Sequence, residues 1–487
     1  MSIEAGFSIM PSCLKITCDL KRHFIKWFWI TIVSIVAFVL MFAGCSRKNP
    51  SDNYNVLLVT LDTTRTERLS CYGYDKITSP NIDMLAKEGI RFDMSISTSA
   101  ATPISHASIL TGLNPFEHGV RVLYAANGCK LPKTIPTMAT ILHNECWETA
   151  AFLSAFPVSE FYQFDRGFDI FDNGMTGDVY NKMKQSDNGD WKWGIRQNQR
   201  PSNETSEAAI HWLKKKRKQN KAFFMWVHYW DPHDPIKLPP KEILSHFPPD
   251  NISQAAKTSS IYDAEIFYMD SQLGRLLDTI KDIGEYQNTI IVIIADHGQG
   301  LDDGLERHGW YGHRLLYQEQ IRVPMIIKIP KGPKDKVIPQ LVRNIDIFPT
   351  IMDILNIHIP QPVAGRSLID LINGLPNKNR VAYADALNLY DLNAGIINKK
   401  RKEGLLYCAM DRSWKLIFHY SNPENSELYN IETDPLETNN LYNQHNPEYR
   451  RLFKCLQVFD GFVDKPFGDA TEDSSAFEAL KSLGYAE

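Results

Sequence analysis

Four apolar runs constrain this chain more than any other feature. From Asn55 the sequence reads Asn-Val-Leu-Leu-Val-Thr-Leu-Asp, an unbroken apolar stretch closed by the carboxylate of Asp62. Runs of this kind form where both faces of a strand are covered, as in a parallel sheet packed between helices. The pattern returns at 222–229, 289–296 and 323–329, and helical periodicity fills 204–216, 262–283 and 345–357. Strands alternating with helices predict an α/β domain, a doubly wound and mostly parallel sheet with helices on both faces, over residues 54–380. In such sheets ligands bind beyond the carboxyl ends of the strands. From about residue 381 the pattern changes to short strand-like pieces at 381–385 and 414–420 and a helix at 447–459, which predicts a smaller α+β subdomain over 381–487. Residues 173–202, rich in Asn, Asp, Gly, Lys and Gln, read as a surface insertion.

The first 45 residues stand apart. Lys15, Lys21, Arg22 and Lys26 precede an uncharged apolar run from Trp27 to Gly44, the order of a signal or anchor segment. The run ends Leu40-Met41-Phe42-Ala43-Gly44-Cys45, which looks like a bacterial lipobox and makes Cys45 the candidate lipidation site. The other reading is an uncleaved helix of about 18 residues, enough to span a bilayer. Both predict a membrane-anchored protein of the bacterial cell envelope with its catalytic domain outside the cytoplasm. A net charge of -4 supplies no basic field for a polyanion, so nucleic acid is excluded as a partner. The cysteines after Cys45 are Cys71, Cys129, Cys146, Cys408 and Cys455, an odd set without the spacing of a disulfide framework or zinc knuckle.

Ordered motifs narrow the function. Asn55 to Asp62 continues into Thr63-Thr64-Arg65 and Cys71-Tyr72-Gly73-Tyr74, then Ser79-Pro80-Asn81-Ile82-Asp83. A second block runs Thr102-Pro103-Ile104-Ser105-His106-Ala107-Ser108-Ile109-Leu110-Thr111-Gly112 and is followed by His118-Gly119-Val120. Further blocks are Trp230-Asp231-Pro232-His233, Asp296-His297-Gly298, His308 to His313, and Glu427-Leu428-Tyr429-Asn430 with Asp434-Pro435-Leu436-Glu437. In this order they resemble the sulfatase family of the alkaline-phosphatase superfamily over residues 54–487. The resemblance implies a metal-dependent hydrolase of anionic esters. The departures are informative. In sulfatases the second block opens with a Cys that is converted to formylglycine and continues x-Pro-Ser-Arg; here Thr102 and His106 occupy the first and last of these positions. Thr has no thiol to oxidise. Thr102 stands where the superfamily's phosphodiesterases carry a Thr nucleophile, and His313 stands where many sulfatases carry a Lys.

The resemblance makes Thr102 the expected nucleophile, with His106, His233 and His313 as further catalytic groups. Asp62, Thr102, Asp296 and His297 are the expected ligands of a divalent cation. Carboxylate together with imidazole favours zinc or manganese, with calcium possible, as one ion or two. A second ion would fall to Asp231, His233 and His313. His228 reads as a core or supporting residue and His118 as structural. The expected substrate is an anionic ester on a glycan, a lipid or a small molecule. A sulfated Thr lacks the release route of the formylglycine hydrate, so phosphate monoesters or diesters are favoured over sulfate esters. The alternatives are a phosphoethanolamine or phosphoglycerol transferase and a non-catalytic lipoprotein that kept the fold.

Overall fold

The computed structural model describes residues 54–125, 127–174, 184–185, 191–192, 199–218, 220–233, 238–301, 312–375, 379–390, 404–463, 467 and 474–483. The predicted anchor with Cys45, most of the 173–202 insertion and His308 lie outside the described residues. Residues Tyr54–Glu487 form one compact unit.

The main sheet has eight strands: β1 (Asn55–Leu61), β2 (Ile90–Ile96), β3 (Glu148–Phe152), β4 (Ile170–Asp172), β7 (Phe223–Tyr229), β8 (Thr289–Ala295), β9 (Arg322–Lys328) and β10 (Lys336–Arg343). The short strands β5 (Lys184–Gln185) and β6 (Trp191–Lys192) pair with each other. The order across the main sheet is β10-β2-β9-β8-β1-β7-β3-β4. β1 sits in the middle, parallel to β7 on one side and β8 on the other. Every residue of β1, β7 and β8 is buried, as their continuous apolar sequences require.

One expectation is corrected. The run at 323–329 forms β9, which pairs antiparallel with both β8 and β2. Apolar continuity reports burial on both faces and carries no information about direction. Pro324, which cannot donate to a ladder, falls where the β2–β9 register shifts between Phe92 and Ser95.

The smaller sheet is antiparallel, in the order β11 (Ala382–Ala386), β12 (Leu406–Met410), β13 (Trp414–His419), β14 (Glu427–Asn430). Alternation along its strands serves two cores. Tyr407, Leu416 and Phe418 join Leu452 and Leu456 of the Pro447–Phe459 helix. Cys408, Ile417 and Tyr429 join Ile96, Leu316 and Ile321 of the main domain. This packing places the small sheet beside the segment that leads into Thr102. The backbone N–H of Asp385 donates to the Thr98 carbonyl at 3.0 Å, and Arg121 pairs with the Asp385 carboxylate.

Candidate active site

Adjacent strand ends create the site. Leu61 of β1 and Ala295 of β8 are in register, so the next residues, Asp62 and Asp296, emerge side by side beyond the sheet. The chain then turns sharply, with Thr63 at φ 48°, a left-handed conformation seldom adopted by a β-branched residue. The Thr63 and His297 backbone N–H groups both donate to Asp296 Oδ1, at 3.2 and 2.7 Å. The other oxygen, Asp296 Oδ2, has no hydrogen-bond partner, and neither does Asp62 Oδ1. Both carboxylates are fully buried.

The helix Thr102–Thr111 delivers a hydroxyl to this point. Pro103 suits its first turn, and Gly112 at φ 69° closes it in a left-handed cap. Ser105 Oγ donates to the Asp296 carbonyl at 2.7 Å and accepts from Asn344 Nδ2 at 3.1 Å, which pins the helix start to the strand tip. Thr102 Oγ1 thereby lies 3.4 Å from Asp62 Oδ2 and 3.2 Å from His297 Nε2. His297 Nδ1 lies 2.9 Å from the Gly298 carbonyl, a contact that requires the proton on Nδ1 and turns the Nε2 lone pair toward Thr102. Gly298 is obligatory here, because a Cβ would sit 2.1 Å from the Glu319 carbonyl oxygen.

Among the described residues, Asp62, Asp296 and His297 are the group of His, Cys, Asp or Glu side chains whose ligand atoms all lie within 4.8 Å of one another. The trio Asp231, His233 and His313 is not brought together in this way. Asp231 Oδ1 instead accepts from the backbone N–H and hydroxyl of Ser202, at 3.1 and 2.8 Å. His233 and His313 do meet, Nε2 to Nε2 at 3.1 Å, with His233 stacked on Trp230 and the His313 ring centre 4.4 Å from that of His297. His313 Nδ1 lies 2.8 Å from the Ala100 carbonyl, two residues before Thr102. His106 donates from Nδ1 to the Thr102 carbonyl at 2.8 Å, 3.6 Å from Asp296 Oδ2, and its Nε2 is buried without a partner.

His228, read from the sequence as a core or supporting residue, touches one of the expected ligands. It lies at the end of β7, opposite Thr60, and its Nε2 contacts Asp62 Oδ2 at 3.2 Å. Alternation with apolar neighbours on a buried strand hides this contact; the one usable signal was a His next to the last residue of a strand that borders β1.

Burial dominates the electrostatics. It raises the Asp62 carboxyl well above the usual range, against the hydrogen bond from Thr102. Asp296 is raised by burial first and by the charge of Asp62 second. Burial also holds His297 down at about 3 and lowers His106, His233 and His313. Two fully buried, facing carboxylates with partnerless oxygens, beside a neutral imidazole nitrogen, fit a divalent cation, which replaces their mutual repulsion by attraction.

His118 shows the contrast with a structural histidine. Its Nε2 lies 2.9 Å from Ser108 Oγ, and its Nδ1 accepts from the Val120 N–H at 3.1 Å. Burial, then the nearby Arg121 charge, lowers its pKa from 6.5 to about 3. The unfolded chain therefore takes up a proton near pH 6.5 that the folded chain refuses down to about pH 3, so stability is complete above the first value and falls toward the second. Between pH 7.5 and 5.5 this one residue is expected to cost about 1.4 kcal/mol. Urea unfolding of wild type and His118→Gln measures it: the variant should lose less stability over that interval, and equal losses contradict the assignment.

Residues 54–357 match the Sulfatase family model. The chain belongs to the sulfatase family. Residues 306–458 also match the model described as N-sulphoglucosamine sulphohydrolase, C-terminal. This sulfatase-family chain is 25% identical to an arylsulfatase of Clostridium perfringens, with 83% of this chain and 92% of the relative covered. It is likewise 25% identical to an N-acetylglucosamine-6-O-sulfatase of Bacteroides thetaiotaomicron, covering 89% and 90%. Its fold is similar to the crystal structure of a phosphonate monoester hydrolase of Agrobacterium radiobacter, at TM-score 0.66 and 18% identity over 84% of this chain and 95% of that one. The chain is therefore a sulfatase-family hydrolase of ester bonds.

Proposed function

We propose that this sulfatase-family enzyme hydrolyses anionic esters by attack of Thr102, and that phosphate monoesters or diesters are preferred to sulfate esters. The observation that carries the reading is the position of Thr102 Oγ1, at a helix start, 3.4 Å from Asp62 and 3.2 Å from His297. In this reading Asp62, Thr102, Asp296 and His297 hold a divalent cation, zinc or manganese before calcium. When bound, that cation lowers the pKa of the Thr102 hydroxyl and offsets the charge of the ester. The backbone N–H groups and dipole at the start of the Thr102–Thr111 helix support the same negative charge.

The steps follow from the side chains. The Thr102 hydroxyl passes its proton to Asp62 Oδ2 as Oγ1 bonds to phosphorus and the bond to the leaving oxygen breaks. That oxygen takes a proton from a water molecule oriented by the His233–His313 pair. The hydroxide so formed attacks the phosphorus, the bond to Oγ1 breaks, and Thr102 regains its proton from Asp62. His106 holds the Thr102 carbonyl and so fixes the first helical turn. Two features support phosphate: Thr102 cannot become formylglycine, and imidazoles of His106 and His313 stand where the family's cationic residues hold sulfate.

The test is a parallel assay of the full chain on nitrophenyl phosphate, a bis-nitrophenyl phosphodiester and nitrophenyl sulfate, each with zinc, manganese or calcium. The proposal expects the highest kcat/KM on a phosphate ester with zinc or manganese. Faster turnover of the sulfate would reverse the preference, and turnover unaffected by a chelator would remove the metal.

The same proposal places the catalytic domain outside the cytoplasm, anchored through Cys45. Cys45→Ser should abolish metabolic lipid labelling in a bacterial host. Labelling equal to wild type would rule out that anchor.

A further inference from the structure

We propose that Tyr262 is a positioning residue that clamps Thr63 in its left-handed conformation, and that this conformation aims Asp62 and Asp296 at a common cation. The inference rests on the metal reading above and adds to it a group that touches neither the ion nor the substrate.

Thr63 follows directly on Asp62, and its φ of 48° is one that L residues with branched side chains rarely adopt. Its own side chain does nothing to compensate, because Thr63 Oγ1 is buried without a hydrogen-bond partner. Strained backbone of this kind persists only where the surroundings impose it. The imposing contacts come from both sides of the residue. The Thr63 N–H donates to Asp296 Oδ1 at 3.2 Å, and the Thr63 carbonyl accepts from the Tyr262 hydroxyl at 2.6 Å. The same hydroxyl accepts from the Arg65 N–H at 2.9 Å. One phenol oxygen therefore brackets the turn, and it reaches across from the third turn of the Gln254–Asp282 helix.

Rotation of Thr63 back to negative φ would swing its N–H away from Asp296 Oδ1 and turn the preceding Asp62. The cluster Asp62, Asp296 and His297 would then lose its convergence. Tyr262 is buried, so its packing alone could explain its presence; the clamp is distinguished by what a hydroxyl-only change does to metal affinity.

The probe is Mn²⁺, titrated calorimetrically into the metal-stripped full chain, alongside thermal unfolding of the metal-free protein. Tyr262→Phe should raise the Kd for Mn²⁺ by about 10–100-fold, the usual effect of losing a group that orients a ligand. Its metal-free Tm should fall only modestly, because relaxation of the strained turn offsets part of the cost of the two hydrogen bonds lost at Thr63 and Arg65. Adding Thr63→Gly to Tyr262→Phe should restore most of the lost affinity, because glycine takes up positive φ without a clamp. Thr63→Gly alone should bind Mn²⁺ as wild type does, a result independent of how Tyr262→Phe folds. Unchanged Mn²⁺ affinity in Tyr262→Phe, with or without a lower Tm, would reduce Tyr262 to packing and overturn the proposal. Failure of Thr63→Gly to restore affinity, or weakened binding in Thr63→Gly alone, would overturn it as well. A wild-type chain that binds no divalent ion would instead sink the metal reading itself, and this inference with it.

Discussion

Thr102→Ala should lower kcat by at least about 10³-fold while the metal-stripped variant still takes up its cation. The two halves of this expectation have separate causes. Removing Oγ1 deletes the atom that bonds to the substrate, and the serine hydroxyls of the same helix are engaged elsewhere: Ser105 with the Asp296 carbonyl and Ser108 with His118 and Thr98. The cation loses one neutral ligand and keeps the carboxylates of Asp62 and Asp296 with the imidazole of His297. Thr102→Ser, which retains the hydroxyl, should recover most of the rate. Steady-state kinetics with metal analysis of each variant checks both halves. Near-wild-type turnover in Thr102→Ala would mean that water attacks the ester directly.

The second large effect is expected at Asp296. Asp296→Asn keeps an oxygen at Oδ1 to accept the Thr63 and His297 N–H groups, and replaces the partnerless Oδ2 by an amide that can donate to Asp62. The metal-free variant should therefore be more stable than metal-free wild type, by about 1–3 kcal/mol, the usual penalty of an unsatisfied buried group. Cation affinity should move the other way and fall beyond the ~10–100-fold that loss of a supporting group costs, because one of the two carboxylate charges facing the ion is removed. Metal should then raise the Tm of wild type by mass action and leave the variant's unchanged. Calorimetric titration and thermal unfolding of both proteins, with and without Mn²⁺, measure the pair of shifts. A variant that binds Mn²⁺ as tightly as wild type would take Asp296 out of the ligand set.

Much of this architecture can be read from residue order because its signals are local. The runs that became β1, β7 and β8 are buried on both faces, so no charged residue interrupts them, and the nearest carboxylates fall beyond the strand ends. Strand ends thus mark Asp62 and Asp296 as candidates, and it is the resemblance to the sulfatase family that names them, with Thr102 and His297, as ligands. β2 and β10 escaped the same reading: Ile90–Ile96 carries Arg91 and Asp93, and Lys336–Arg343 carries Pro339 and Gln340, as suits strands at the side of the sheet. The direction of β9 was equally hidden, since pairing partners are set by contacts distant in sequence. The same limit governs the site. Asp231 and His233 are two residues apart, yet a hydrogen bond to Ser202 holds the Asp231 carboxylate while His233 meets His313. Nor does spacing reveal Tyr262, whose hydroxyl meets Thr63 across 199 positions of sequence.

The most direct test of the account is stereochemical. A phosphodiester made chiral at phosphorus with sulfur and oxygen isotopes, hydrolysed by the full chain with manganese, reports how many displacements occur at that atom. Attack by Thr102 followed by attack of water makes two in-line displacements, each inverting the centre, so the account predicts overall retention of configuration. Overall inversion would show a single displacement by water and contradict a covalent role for Thr102.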